Sequence, residues 1–430
     1  MTVSMTTDNA KTRSLARVLA AVLIAATVVG TATGAVRVWT VISDAQRPGP
    51  VLFEHGVSGV DFTHVPAGWT NEWCGECHKR DYAQWKGSRH NLSGSNENFE
   101  AQILDPKGGR KQWCMNCHVP INPGATVFST REPEDLDQNY TEHPEWLMNG
   151  IDCLTCHVRD GQVLVTHASE EAATAHPIRI APELGTAEFC GSCHQFDFHD
   201  REHPDQFHGP LQQASLEEFL EFRATGELET RCHDCHMPDG DHEMPGGYSL
   251  SLLQETFDLA LSANWIDDGD AILIEMDLSI GHVGHRVPGG EHFFRFLSLQ
   301  TVLEDEQGNA IGTGTSTIRP SDIEATLIDQ LPHIKTFGHH PALSEFTGLS
   351  EEESGMPSPD TRLSPNDTWT ARYVVSPDRE QSGSTVRIRT ELWYHVLDAW
   401  NAIKFKLSPD ELRWTVLRRE AVLTRPSAVD

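Results

Sequence analysis

The stretch Cys74-Gly75-Glu76-Cys77-His78 recurs four times with its spacers changed: Cys114-Met115-Asn116-Cys117-His118, Cys153-Leu154-Thr155-Cys156-His157, Cys190-Gly191-Ser192-Cys193-His194 and Cys232-His233-Asp234-Cys235-His236. These five copies use all ten cysteines of the 430-residue chain. The first cysteines of successive copies stand 40, 39, 37 and 42 residues apart, a loose repeat of modules rather than a solenoid period.

The spacing has a chemical reason. Two thiols three residues apart reach the two vinyl groups of one porphyrin and form thioethers, and the following imidazole then binds the iron from the proximal side. Pairs of C-x-x-C also suit zinc or thioredoxin-like redox chemistry, but neither demands a His after every second cysteine. An exported disulfide scaffold would not repeat this spacing either. The reading is five covalent haem c groups. Their proximal ligands are His78, His118, His157, His194 and His236.

Residues 1–44 read as a cytoplasmic stub and a signal-anchor or transmembrane segment. Lys11, Arg13 and Arg17 precede the uncharged run Val18–Val36. At roughly 1.5 Å per residue that run spans about 28 Å, enough for a hydrocarbon core. Its basic flank sends the rest of the chain outward. The run is rich in Ala and Thr, so a cleaved signal peptide near Ala32-Thr33-Gly34 is the competing reading. Both place the cysteines outside the cytoplasm, on the periplasmic side of the membrane.

The net charge is −30. Such a surface repels phosphate backbones, so nucleic acid is not an expected partner. A redox protein with a basic docking face is the natural complement.

Residues 45–250 read as a haem-packed domain with short helices and loops, apart from a longer helix over Leu216–Ala224. After Gly247 the cysteines stop and alternation takes over. The segments 257–265, 271–280, 293–303, 369–375 and 386–394 read as half-buried strands, and Asp305–Asn309 as a turn. Residues 251–430 are therefore expected to form an antiparallel β-sandwich, with 343–367 as an exposed loop. The class is α+β.

Eighteen of the 23 histidines lie beyond the proximal five, and few Met remain, so bis-His ligation and low potentials are expected. Here the chain resembles multihaem cytochromes c of the cytochrome c-554 type, relatives of the haem scaffold of hydroxylamine oxidoreductase. The resemblance covers about residues 64 to 300. Cys74–His78 followed by Tyr82, Trp85, Ser88 and His90 is similar to the family's C-x-x-C-H…Y-x-x-W-x-x-S-x-H, whose last His is a distal ligand. His176-Pro177 before the fourth copy resembles a second distal position, with His167 as its substitute. Cys232–Pro238 followed by His242 and Gly246-Gly247 resembles C-x-x-C-H-M-P…H-x-x-x-G-G, which implies His242. Gly284-His285-Arg286-Val287-Pro288-Gly289 resembles G-H-x-x-P-T-G, with Gly289 in place of Thr. It implies that His285 reaches back from the β domain, with His282 as the alternative. His64 is the fifth distal candidate, ahead of His55, His143 and His208.

The expected function is electron transfer between a membrane or periplasmic donor and a redox partner. Iron with two protein ligands exchanges electrons without binding substrate. The alternative is an oxidoreductase with one open haem acting on nitrite, hydroxylamine or a sulfur oxyanion. No copy is C-x-x-C-K, and no triad, phosphate loop or zinc site is visible, so no catalytic residue is assigned.

Overall fold

The computed structural model describes residues 68–103, 117–120, 150–196, 213–226, 230–281, 283–291, 294–314, 325–338, 360–397 and 399–426. Residues Gly49–Asp430 form one compact unit and Met1–Pro48 another. The anchor reading of 1–44 and the candidate His64 lie outside the described residues. So do Cys114, His282 and most of the 343–367 loop. Among the described residues no helix is long and apolar enough to cross a membrane.

Short helices carry the cysteines. Helix α1 (Asn71–Cys77) starts where the Thr70 hydroxyl accepts the Trp73 N–H at 3.2 Å, filling one of the donors a first turn leaves open. His78 ends it and begins α2 (Lys79–Gly87). Helix α3 covers Glu97–Ile103. Helix α4 (Cys153–His157) is one turn, held by a reciprocal cap between Asp152 and Thr155. It leads into a small sheet of β1 (Val158–Arg159), β2 (Gln162–Val165) and β3 (Ile178–Ile180) around α5 (Glu170–Ala175).

Helix α6 (Ala187–His194) runs into β4 (Gln195–Phe196), which pairs with β5 (Gln213–Ala214) ahead of α7 (Ser215–Ala224). Leu216 and Phe219 of α7 pack on Ala187, and Cys232 at the start of α8 (Cys232–His236) joins them. A β-carbon at Gly191 would sit 2.5 Å from Leu216 Cδ2, so the glycine inside the fourth motif is what lets α7 approach. Helix α9 (Leu250–Thr256) then passes into the sheets.

One sheet has the order β6 (Phe257–Ile266), β7 (Ala271–Ile280), β11 (Thr368–Val375), β9 (Thr326–Ile328). The other has the order β10 (His333–Gly338), β8 (Phe296–Glu304), β12 (Thr385–His395), β13 (Arg413–Thr424), with α10 (Ala399–Lys404) between its last two strands. Alternate residues of each strand point inward. Ile272, Ile274, Met276 and Leu278 of β7 join Leu297, Leu299 and Leu303 of β8 and Val386, Ile388 and Leu392 of β12 in one core. Thr301 and Thr390 bury their hydroxyls there by pairing at 3.1 Å.

The expected wholly antiparallel arrangement needs correction. β9 pairs with β11 in parallel, Tyr373 opposite Thr326. The long connection through 329–367 supplies the crossover that a parallel neighbour requires. The Asp305 turn forms as expected. Its Oδ1 accepts the N–H groups of Gln307 and Asn309, and Gly308 supplies the positive φ of +86°.

Candidate haem-binding site

Nine of the motif cysteines are among the described residues, and none of them is in a disulfide. Their helices bring the motifs together out of chain order. The thiol of Cys74 contacts that of Cys153, joining the first motif to the third. Cys117 contacts Cys193, joining the second to the fourth. Cys190 contacts Cys232, joining the fourth to the fifth. Cys156 lies within electrostatic range of Cys190 and Cys193, so the third motif and the fourth are neighbours without a thiol contact.

The histidines show a second pattern. The ring centroids of His157 and His242 are 6.2 Å apart, those of His194 and His90 6.1 Å, and those of His236 and His285 6.3 Å. Each pair joins a motif His to one of the expected distal residues. Two imidazoles bound to one metal, each through a bond of about 2 Å, hold their ring centres about 6 Å apart. The donor set and its spacing therefore fit an iron between each pair.

At His157, His236, His285 and His118 the other ring nitrogen is occupied in a way that suits this. His157 Nδ1 lies 3.1 Å from the Leu164 carbonyl, His236 Nδ1 2.6 Å from that of Pro245, and His285 Nδ1 2.9 Å from that of Arg286. His118 Nδ1 lies 3.0 Å from the Ser93 carbonyl. A carbonyl accepts only from a protonated Nδ1, so the lone pair is left on Nε2, where a metal would bind. His194 differs, because the Gln213 amide N–H donates to its Nδ1 at 3.0 Å. Burial holds these rings neutral. It depresses His90 to about 4 and His194 to about 3, with neighbouring imidazoles adding to the effect. It also lowers His118, His157, His236 and His285.

The pattern around the first motif has local causes. Tyr82 packs over Gly75, where a β-carbon would meet the ring at 2.7 Å. The Trp85 indole donates to the Ile151 carbonyl at 2.8 Å, tying α2 to the start of the third motif. The Ser88 hydroxyl accepts the Asn91 N–H at 3.3 Å and shapes the turn that carries His90. Gly150, with φ +56°, lets that turn's carbonyls come close, and the Ile151 N–H donates to His90 O at 2.9 Å. Gln84 of α2 accepts the His242 N–H at 3.3 Å and donates to Asp241 at 2.9 Å, which seats His242 against the third motif.

His285 stands on a loop pinned from both sides. Val287 bridges to Leu363, and the Arg286 N–H donates to Glu218 of α7 at 3.1 Å. Arg362 meets the same carboxylate at 2.5 Å and Asp360 at 2.7 Å. Burial pushes Glu218 up against the pull of Arg362. At Gly289 a β-carbon would lie 2.9 Å from His285 Cε1, so the missing side chain leaves room for the ring.

His176 caps α5 with a buried Nδ1 lacking a hydrogen-bond partner, and it belongs to none of the three pairs. His167 is exposed beside Thr166. His118 is stacked on Phe99 at 4.0 Å, and His78 is exposed with Asp81 at 3.7 Å. Among the described residues no group of three or more His, Cys, Asp or Glu is arranged to hold a metal ion.

Motifs, thiol contacts and paired imidazoles define the class, a multihaem c-type cytochrome. The comparisons agree. Residues 73–158 match the family described as Cytochrome c554 and c-prime. The fold is similar to that of a penta-heme cytochrome c552 from Thermochromatium tepidum, with TM-score 0.58 and 20% identity over 83% of this chain and 99% of that one. A structure from the Northeast Structural Genomics Consortium, target SoR45, is 8% identical over 41% of this chain and 91% of its own. Its TM-score of 0.18 is too low to bear on the fold. No curated protein matches the chain.

Proposed function

We propose that the chain carries five haem c groups and relays electrons through them. The observation that carries the reading is the set of three His pairs at 6.1 to 6.3 Å, each with one member in an attachment motif. In this reading His242, His90 and His285 complete the third, fourth and fifth haems. His176 and His64 are the candidate partners of His78 and His118. The bound group supplies one-electron chemistry at iron. The protein supplies two neutral imidazoles per iron and excludes other ligands.

The thiol contacts support a path. Thioether sulfurs in contact put two porphyrin edges side by side, which joins the first haem to the third and both the second and the fifth to the fourth. The charge interaction of Cys156 with Cys190 and Cys193 sets the third near the fourth. Export across the cytoplasmic membrane, anchorage by the N-terminal segment and a basic-faced redox partner complete the proposal.

The test is electron paramagnetic resonance on the oxidised full-length protein, after pyridine haemochrome has counted the haems. Five haems with low-spin signals from the paired sites support the relay. A stoichiometric high-spin signal favours the alternative, an oxidoreductase with one open haem.

A further inference from the structure

Two half-buried guanidinium groups lie together beside one tyrosine ring. Arg89 Cζ sits 3.8 Å from the centre of the Tyr248 ring, and Arg295 Cζ lies 5.6 Å from the same centre. Each cation feels the other, and burial together with Arg295 lowers Arg89. Arg295 hydrogen-bonds to the hydroxyls of Tyr248 and Tyr394. Its Nη1 is closed off from solvent and has no hydrogen-bond partner. The acid facing Arg295 is Glu291, which burial pushes up to about 7, so it is only partly ionised at neutral pH. In a chain of net charge −30, two half-buried cations thus stand side by side.

The backbone makes room for this arrangement. A β-carbon at Gly290, where φ is +88°, would meet Arg295 Nε at 2.9 Å, and one at Gly247 would collide with the Tyr394 hydroxyl. The cluster borders the haem-binding residues. Arg89 directly precedes His90, and the Arg295 charge reaches His118.

We propose that Arg89 and Arg295, with Tyr248 and Tyr394, form a site for one carboxylate or small oxyanion beside the second and fourth haems. The inference rests on the multihaem reading. A planar guanidinium offers paired N–H donors that match a carboxylate or an oxyanion, and an unpartnered Nη1 supplies a free donor. The shared chemistry has two sources, a propionate of a neighbouring haem or a free anion from solution.

The experiment uses the full-length haem-loaded protein and its Arg89→Gln and Arg89→Lys variants. Pyridine haemochrome first scores the multihaem reading, because a haem-free wild type would sink that reading alone. The anion site is then scored by the difference between wild type and variants. Spectroelectrochemistry follows the reduction equilibria, and nitrite and inorganic phosphate are titrated separately against the oxidised spectrum.

Loss of the cation favours the oxidised haem. With a propionate as occupant, one haem becomes about tenfold harder to reduce in Arg89→Gln, a downward shift of about 59 mV for one electron. Arg89→Lys recovers part of that shift, and added anions change nothing in the wild type. With a free anion as occupant, the wild type shows a saturable spectral change on titration that Arg89→Gln loses. In a haem-free protein the same loss is read by calorimetry with phosphate. Unchanged potentials together with no anion response in wild type or variants would overturn the proposal.

Discussion

His285 faces His236 with ring centroids 6.3 Å apart and planes 8° from parallel, although one stands on a loop beside the β-sheets and the other ends an attachment helix. Nothing local holds them together. The contact depends on the loop being fixed to α7 through Arg286 and Glu218 and to Leu363 through Val287. The β-rich region is thus held against the fifth attachment motif.

Removing the ring tests the pairing directly. In His285→Ala the iron held by His236 loses its second imidazole. One of the haems should turn high-spin and bind carbon monoxide when reduced, while the others stay low-spin. The measurement is the reduced-plus-carbon-monoxide difference spectrum, backed by electron paramagnetic resonance. An unchanged spectrum would strike His285 from the proposed ligands.

Glu218 should matter for the same haem without touching it. Its side chain is 6% exposed, and its partner Arg362 is 3% exposed, so removing the carboxylate leaves the buried cation with Asp360 alone. Glu218→Ala is expected to cost about 1–3 kcal/mol in stability and to leave part of the His285 haem high-spin. Glu218→Gln keeps an acceptor for the Arg286 N–H, so the high-spin fraction should be smaller. Equal spectra for the two variants would show that Glu218 acts only on stability.

The sequence was most legible where structure is local. A thiol pair and its imidazole occupy one helical turn, so their chemistry follows from spacing alone. Motif resemblance pointed to His90, His242 and His285, but not to the rings they stand beside. Which proximal ring each meets depends on contacts such as Gln84 with His242 and Trp85 with Ile151, made across long stretches of chain. The anion cluster left no signal, because Arg89, Tyr248, Arg295 and Tyr394 are each unremarkable in their own segments. Strand β13 escaped notice because Arg418, Arg419 and Glu420 interrupt its apolar pattern, and the partner register shifts at Leu392/Trp393. The parallel neighbour β9 is only three residues long, too short for alternation to reveal it.

Gly289 offers a test of the departure from the family's turn. In Gly289→Thr the new β-carbon would meet His285 Cε1 at 2.9 Å, so either the ring or the loop must move. The expected cost is about 1–3 kcal/mol, with a shift in the potential of the His285 haem and no change in haem count. Gly289→Ala presents the same β-carbon with less bulk beyond it and should show a smaller shift. If Gly289→Thr keeps the wild-type stability and potential, the close approach does not constrain the ring.

The β-sheets carry their own acid-sensitive residue, His395. Its Nε2 meets the Ser298 hydroxyl at 2.8 Å and its ring stacks on Phe296 at 4.1 Å. Burial, with the charge of Arg413 added, depresses it to about 4. The unfolded chain, with a pKa of about 6.5, therefore takes up the proton first as the pH falls. The stability from a neutral His395 is present above that value and is lost as the pH drops toward 4. Between pH 7 and 5 the loss should be about 2 kcal/mol. His395→Phe removes the titrating group while keeping an aromatic ring on Phe296. Urea unfolding followed by circular dichroism at the two pH values should show a smaller acid loss in the variant. Parallel losses in the two proteins would mean that His395 does not set the acid sensitivity of the sheets.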